Sequence, residues 1–106
     1  MAAPAYRDGG LIVVTFDEGG DAAACCGEVS GLGPSHPNVP EPGKAGPGGG
    51  RIGAVLLSPL IRPGSVSAVP YNHYSLLRSI EDIFGRPHLG DAAMPQTRSF
   101  GPDVFS

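Results

Sequence analysis

Leu11-Ile12-Val13-Val14-Thr15-Phe16-Asp17-Glu18-Gly19-Gly20 decides the reading of this chain. Six β-branched or large apolar residues run directly into two adjacent carboxylates and then two glycines. An apolar run of this length, bounded by Gly9-Gly10 and Gly19-Gly20, predicts a strand over residues 11–16 buried on both faces. The carboxyl end of such a strand is where open α/β sheets place their ligands. Asp17 and Glu18 repel each other, and an unpaired buried carboxylate is expensive, so a positive partner is expected there. A hard metal ion is the simplest one. The alternative is plain: Asp-Glu-Gly-Gly also makes a solvent-exposed turn.

Around that stretch the chain is short and rich in chain-breaking residues. It has 106 residues with 17 Gly and 12 Pro, which fits one small domain at most. The glycines and prolines concentrate in residues 19–50, so they predict one long loop and not general disorder. The Pro-rich part of that loop suits either a surface excursion bordering a site or a polyproline II segment for a partner groove. Arg51-Ile-Gly-Ala-Val-Leu-Leu-Ser58 is a second buried strand by the same reasoning, ended by Pro59, with a turn at Pro63-Gly64. Two strands and one helix make a meagre core, which points to part of a fold.

The helix is the clearest element. Leu76, Leu77, Ile80, Ile83 and Phe84 share one face at helical spacing, with Arg78, Ser79, Glu81 and Asp82 on the other. Asn72 or His73 marks its start, Gly85 and Pro87 its stop. An Arg78–Asp82 pair is expected along its polar face. Leu89, Met94, Phe100 and Phe105 are available to pin the tail to a body.

Net charge is −3 without a Lys/Arg cluster, so no nucleic-acid footprint is present. No stretch reaches the length of a membrane span, and no signal peptide is visible at the N-terminus. The two cysteines, Cys25 and Cys26, are adjacent: they make no CxxC motif, and a bridge between neighbours departs from ordinary disulfide geometry. Two loop thiols, or a pairing with a cysteine outside this chain, are the readings left open.

Chemistry is concentrated at two places, Asp17-Glu18 at the strand end and His73 at the helix start. Carboxylates with imidazole suit Zn²⁺, Mn²⁺ or Fe²⁺, and an all-oxygen set suits Ca²⁺ or Mg²⁺. Against this, His73 also reads as a residue that merely helps to begin its helix. Ser75 has no activating base in sequence and reads as a first-turn residue. His36 and His88 are loop histidines without an assigned role.

Three blocks, Val14-Thr-Phe-Asp-Glu-Gly-Gly20, Gly50-Arg-Ile-Gly-Ala-Val-Leu-Leu-Ser-Pro59 and Tyr71-Asn-His-Tyr-Ser-Leu-Leu-Arg-Ser-Ile-Glu-Asp-Ile-Phe-Gly-Arg-Pro-His-Leu-Gly90, resemble successive blocks of the phosphoesterase family. That family holds acid phosphatases and non-specific phospholipases C within the alkaline-phosphatase-like superfamily. The resemblance implies an α/β chain forming part of a three-layer α/β/α domain, with a metal-assisted site for a phosphomonoester, a phospholipid or another phosphodiester. It assigns metal binding to Asp17 and Glu18, and a metal or phosphate contact to His73. The divalent ion, Ca, Mn, Fe or Zn, is not fixed by it. The family's Ser or Thr nucleophile has no counterpart in residues 1–106. The chain therefore reads as the C-terminal portion of a phosphoesterase catalytic domain, inactive alone, whose partner is the missing N-terminal part. The resemblance leans towards export of the full-length parent. The other reading is a non-catalytic remnant that binds metal or a protein partner.

Overall fold

Two short antiparallel ribbons and one helix carry the chain, in a computed structural model that describes residues 3–25 and 38–105. A four-residue helix α1 (Pro4–Arg7), with Pro at its start, leads into strand β1 (Ile12–Thr15). Strands β2 (Asn38–Glu41) and β3 (Lys44–Gly46) form a hairpin, and β4 (Ala54–Leu57) returns to pair with β1. Helix α2 (His73–Ile83) and a 3₁₀ turn at Gly90–Ala93 complete the order. Among the described residues, no helix is long and apolar enough to cross a membrane.

The β2–β3 hairpin departs from the structureless loop expected over residues 19–50. Its turn is Glu41-Pro42-Gly43-Lys44, with Gly43 at φ +83°. Proline second and a positive-φ glycine third is the type II signature, so the signal was present in the sequence. Cys25 is disulfide-bonded, which removes the reading of two loop thiols; Cys26 and His36 lie outside the described residues.

Strands β1 and β4 form where the apolar runs predict them, but neither is buried on both faces. Their register pairs Ile12 with Leu57 and Val14 with Val55, which puts these four side chains on one face. All four are exposed, as is Phe16 just beyond β1. Val13 and Leu56, paired on the opposite face, are half-buried. A two-stranded ribbon has no central strand, and among the described residues no helix packs across it, so continuous hydrophobicity here does not produce burial.

Helix α2 begins and ends as its sequence predicts. Asn72 caps it: Asn72 Oδ1 accepts the Ser75 N–H at 2.9 Å, and Ser75 Oγ accepts the Asn72 N–H at 3.3 Å. This reciprocal cap is worth about 1 kcal/mol. The face it buries, however, is the polar one. Ser75, Ser79 and Glu81 are buried, whereas Leu77, Ile80, Ile83 and Phe84 are exposed.

Residues 86–105 explain the inversion, since they lie as a strap along the polar face. Phe100 N–H donates to Ser79 Oγ at 2.8 Å, and Leu89 N–H to Glu81 Oε1 at 3.1 Å. Arg78 donates to the carbonyls of Ala92 and Met94 at 2.8 and 3.2 Å, in place of the expected partner Asp82. Asp82 accepts from His88 Nε2 at 2.6 Å and from Ser99 Oγ. Farther along, Asp103 accepts from Ser67 Oγ and, at 2.8 Å, from Tyr71 Oη, while Tyr71 packs edge-on against Phe100 at 4.9 Å. Ala92 is the one apolar residue fully buried among those described.

A strap held by carboxylates is sensitive to acid. The hydrogen bonds from Ser99 and then His88 hold the Asp82 carboxyl below its ordinary range, and Ser67 leads the same effect on Asp103. Groups depressed in the folded state lend stability above their unfolded pKa of about 4, and lose it as pH falls through the folded value. Burial, then the bond to Asp103, pushes the Tyr71 hydroxyl up. That contribution is present below about pH 10 and is lost as pH rises through the folded value. The strap is therefore expected to loosen at Asp82 and Asp103 below about pH 4, and at Tyr71 above about pH 10. Loss of Tyr71–Phe100 cross-peaks in an NMR pH titration checks it, and cross-peaks unchanged at pH 2.5 count against it.

Candidate functional site

The carboxylates Asp17 and Glu18 follow β1 on an exposed turn. The burial argument for a positive partner therefore lapses, and the placement of the turn has to carry the reading. Asp17 Oδ1 accepts the Glu18 N–H at 3.1 Å, closing the turn on itself.

Two other parts of the chain hold this turn. The first is the glycine triplet before β4. Gly19 N–H donates to the Gly49 carbonyl at 2.6 Å, and the crossing continues with Gly48 N–H to Ala22 O and Gly50 N–H to Ala23 O, each at 3.0 Å. The two main chains lie so close that a Cβ on Gly19 would sit 2.9 Å from Gly49 O and from Gly50 Cα. Glycines that read as loop filler are thus required by the close approach of two backbones. Lys44 Nζ donates to Gly20 O at 3.1 Å, tying the hairpin to the same place.

The second is the start of α2. His73, the first residue after the Asn72 cap, reaches across to donate from Nε2 to the Asp17 carbonyl at 2.8 Å. The sequence-predicted residues Asp17, Glu18 and His73 are therefore brought to one place, although 56 positions separate Asp17 from His73. The partial positive charge at a helix N-terminus suits a neighbouring carboxylate. Ser75 is used in the helix cap, as a first-turn residue, and offers no nucleophile.

Among the described residues, no three His, Cys, Asp or Glu side chains form a set able to hold a metal ion. The turn itself offers two carboxylates. Two polar nodes escaped the sequence reading, His88–Asp82–Ser99 and Ser67–Asp103–Tyr71. In each the carboxylate is central and the hydroxyl donates to it, so neither node activates a nucleophile; both fasten the strap. Nothing in the spacing of these residues signals such pairings, which depend on where the tail lies.

The three stretches that meet at this turn are β1 with its carboxylates, the glycines with β4, and the start of α2. The sequence model of the phosphoesterase family matches residues 1–87 and so takes in all three. No curated protein and no solved structure matches the chain. With the match spanning most of the sequence, the chain belongs to the phosphoesterase family.

Proposed function

We propose that residues 1–106 supply the carboxylate part of a metal-assisted phosphoester hydrolase, as the C-terminal portion of a three-layer α/β/α catalytic domain. Family membership supports the bond class, a phosphoester, and hydrolysis as the reaction. The observation that carries the site is the convergence on one turn: His73 on the Asp17 carbonyl, Gly49 on the Gly19 amide, and Asp17 and Glu18 between them.

Asp17 and Glu18 are hard oxygen donors fit for a divalent cation such as Ca²⁺ or Mn²⁺, and Fe²⁺ or Zn²⁺ where imidazole joins the set. A bound cation would neutralise phosphate charge and orient the attacking group. Two carboxylates are a share of a ligand set and not a whole one, so the remaining ligands and the nucleophile are assigned to polypeptide outside this sequence. What the chain's own residues do is hold two negative charges at a fixed point on a clamped turn. The exposed apolar faces of the β1–β4 ribbon and of α2 support the second half of the proposal, because a layered domain covers such faces.

The test compares residues 1–106 alone with a longer family polypeptide ending in this sequence, using 4-nitrophenyl phosphate and bis(4-nitrophenyl) phosphate with added Mn²⁺ or Ca²⁺. The short chain is expected to show no turnover above background. The longer one is expected to hydrolyse one of the two esters, which separates monoesterase from diesterase, and to lose about 100-fold or more on Asp17→Asn. Unchanged turnover in that variant would remove Asp17 from the site. Cation binding without hydrolysis in the longer polypeptide would leave the non-catalytic remnant as the better account.

A further inference from the structure

The Asp17 carbonyl has only lone pairs to offer, so the 2.8 Å bond from His73 Nε2 requires the proton on that nitrogen. In the neutral ring the lone pair then lies on Nδ1. Nε2 is thus engaged with main chain and is not presented to a ligand. The three side chains Asp17, Glu18 and His73 do not converge as a metal-holding set. Imidazole and carboxylates are neighbours here without aiming at a common point.

The bond falls on the peptide of the residue that carries the first carboxylate. The opposite side of the same turn is held by Gly49 O on the Gly19 amide at 2.6 Å, so both carboxylate-bearing residues lie between two main-chain anchors. His73 is itself fixed at the first position of α2 by the Asn72–Ser75 cap. A rigid helix end therefore sets the height of the turn. Groups that orient ligands in this way commonly do so through a hydrogen bond to something other than the metal.

We infer that His73 is a positioning residue, whose Nε2–H holds the main chain of the Asp17-Glu18 turn that carries the two carboxylates, and that it neither ligates a cation nor contacts substrate. The inference rests on the reading of Asp17 and Glu18 as cation-binding carboxylates, and it replaces the metal or phosphate contact implied for His73 by family resemblance.

The discriminating variant is His73→Gln, which keeps an N–H donor near the position of Nε2–H and removes the imidazole. The longer polypeptide that ends in this sequence is titrated with Mn²⁺ as wild type, His73→Gln, His73→Ala and Asp17→Asn, and ¹⁵N relaxation is recorded on amides 17–20 of residues 1–106 without metal. His73→Ala is expected to weaken Mn²⁺ binding on the order of tenfold and to raise the mobility of those amides. His73→Gln is expected to restore affinity to within about threefold of wild type and to restore order. Imidazole ¹⁵N shifts are expected to show Nε2 protonated in the wild type. A Gln variant as weak as Ala for Mn²⁺, with an ordered turn, overturns the inference and makes the imidazole a ligand. Equal amide mobility in wild type, Gln and Ala overturns it too. Mn²⁺ binding that is absent in the wild type, or present and unchanged by Asp17→Asn, is the failure of the cation reading instead; amides loosened by Ala and restored by Gln then still support positioning.

Discussion

Heated alone, residues 1–106 are expected to melt over a broad range, with an unfolding enthalpy well below the ~70 kcal/mol of a fully packed domain of this length. The accessible surface is 7177 Å², against roughly 5,500 Å² for a compact monomer of this mass. The radius of gyration is 15.0 Å, where about 13 Å is usual for this length. The excess, roughly 1,700 Å², is about twice what one partner buries in a standard protein interface. Exposed apolar side chains contribute to it: Ile12, Val14, Val55 and Leu57 on the ribbon, and Ile80, Ile83 and Phe84 on α2. Calorimetry with a fluorescent probe of apolar surface checks this, and binding of the probe before the transition is expected. A sharp transition, with equal calorimetric and van't Hoff enthalpies near 70 kcal/mol, would refute it. Val14→Asp separates the two settings. In the short chain it alters an exposed position and is expected to cost about 0.5 kcal/mol or less. In a domain that covers this face it buries a charge, and is expected to cost several times that.

The same surface shows what the sequence made legible. Local signals held. The α2 cap at Asn72, the stop at Gly85, the turn at Pro63-Gly64 and both β segments lie where residue chemistry puts them, because each depends on neighbours within a few positions. What failed was the side expected to be covered on β1, β4 and α2, whereas Phe100 pins the tail as expected, edge-on against Tyr71. Apolar periodicity reports the face a segment is suited to bury, but burial needs a second surface to be present. On α2 the strap takes the polar face instead, through hydrogen bonds to Ser79, Glu81, Arg78 and Asp82. At the site, Asp17, Glu18 and His73 were legible as reactive types at element ends. The bond that joins Asp17 to His73 was not, since a histidine meeting a carbonyl 56 positions away leaves no local trace. The glycines at residues 48–50 were visible as composition only, and their function depends on the second backbone beside them.

Gly50→Ala is expected to open the crossing behind the carboxylate turn. Gly50 has φ +76°, and a Cβ there would lie 2.9 Å from the Asp21 carbonyl and 3.1 Å from Gly19 Cα. Gly64 is its natural control, with φ +74° and nothing within 4 Å of the added Cβ. Both substitutions force alanine into the left-handed region, at about 1–2 kcal/mol. Only Gly50→Ala adds a collision between two main chains, neither of which has a flexible end that can move aside. Relief requires the strands to part, which gives up the hydrogen bonds Gly19–Gly49 and Gly50–Ala23. The sum is about 3 kcal/mol. Amide exchange at Gly19, Gly48 and Gly50 is therefore expected to accelerate on the order of 100-fold in Gly50→Ala and only a few-fold in Gly64→Ala. Equal acceleration in both would mean that backbone conformation, not close approach, sets the requirement for glycine. Because the crossing is one of the two anchors of the Asp17-Glu18 turn, Gly50→Ala should also loosen amides 17–20 while the His73 anchor remains. A turn that stays ordered would show that the histidine alone suffices to hold it.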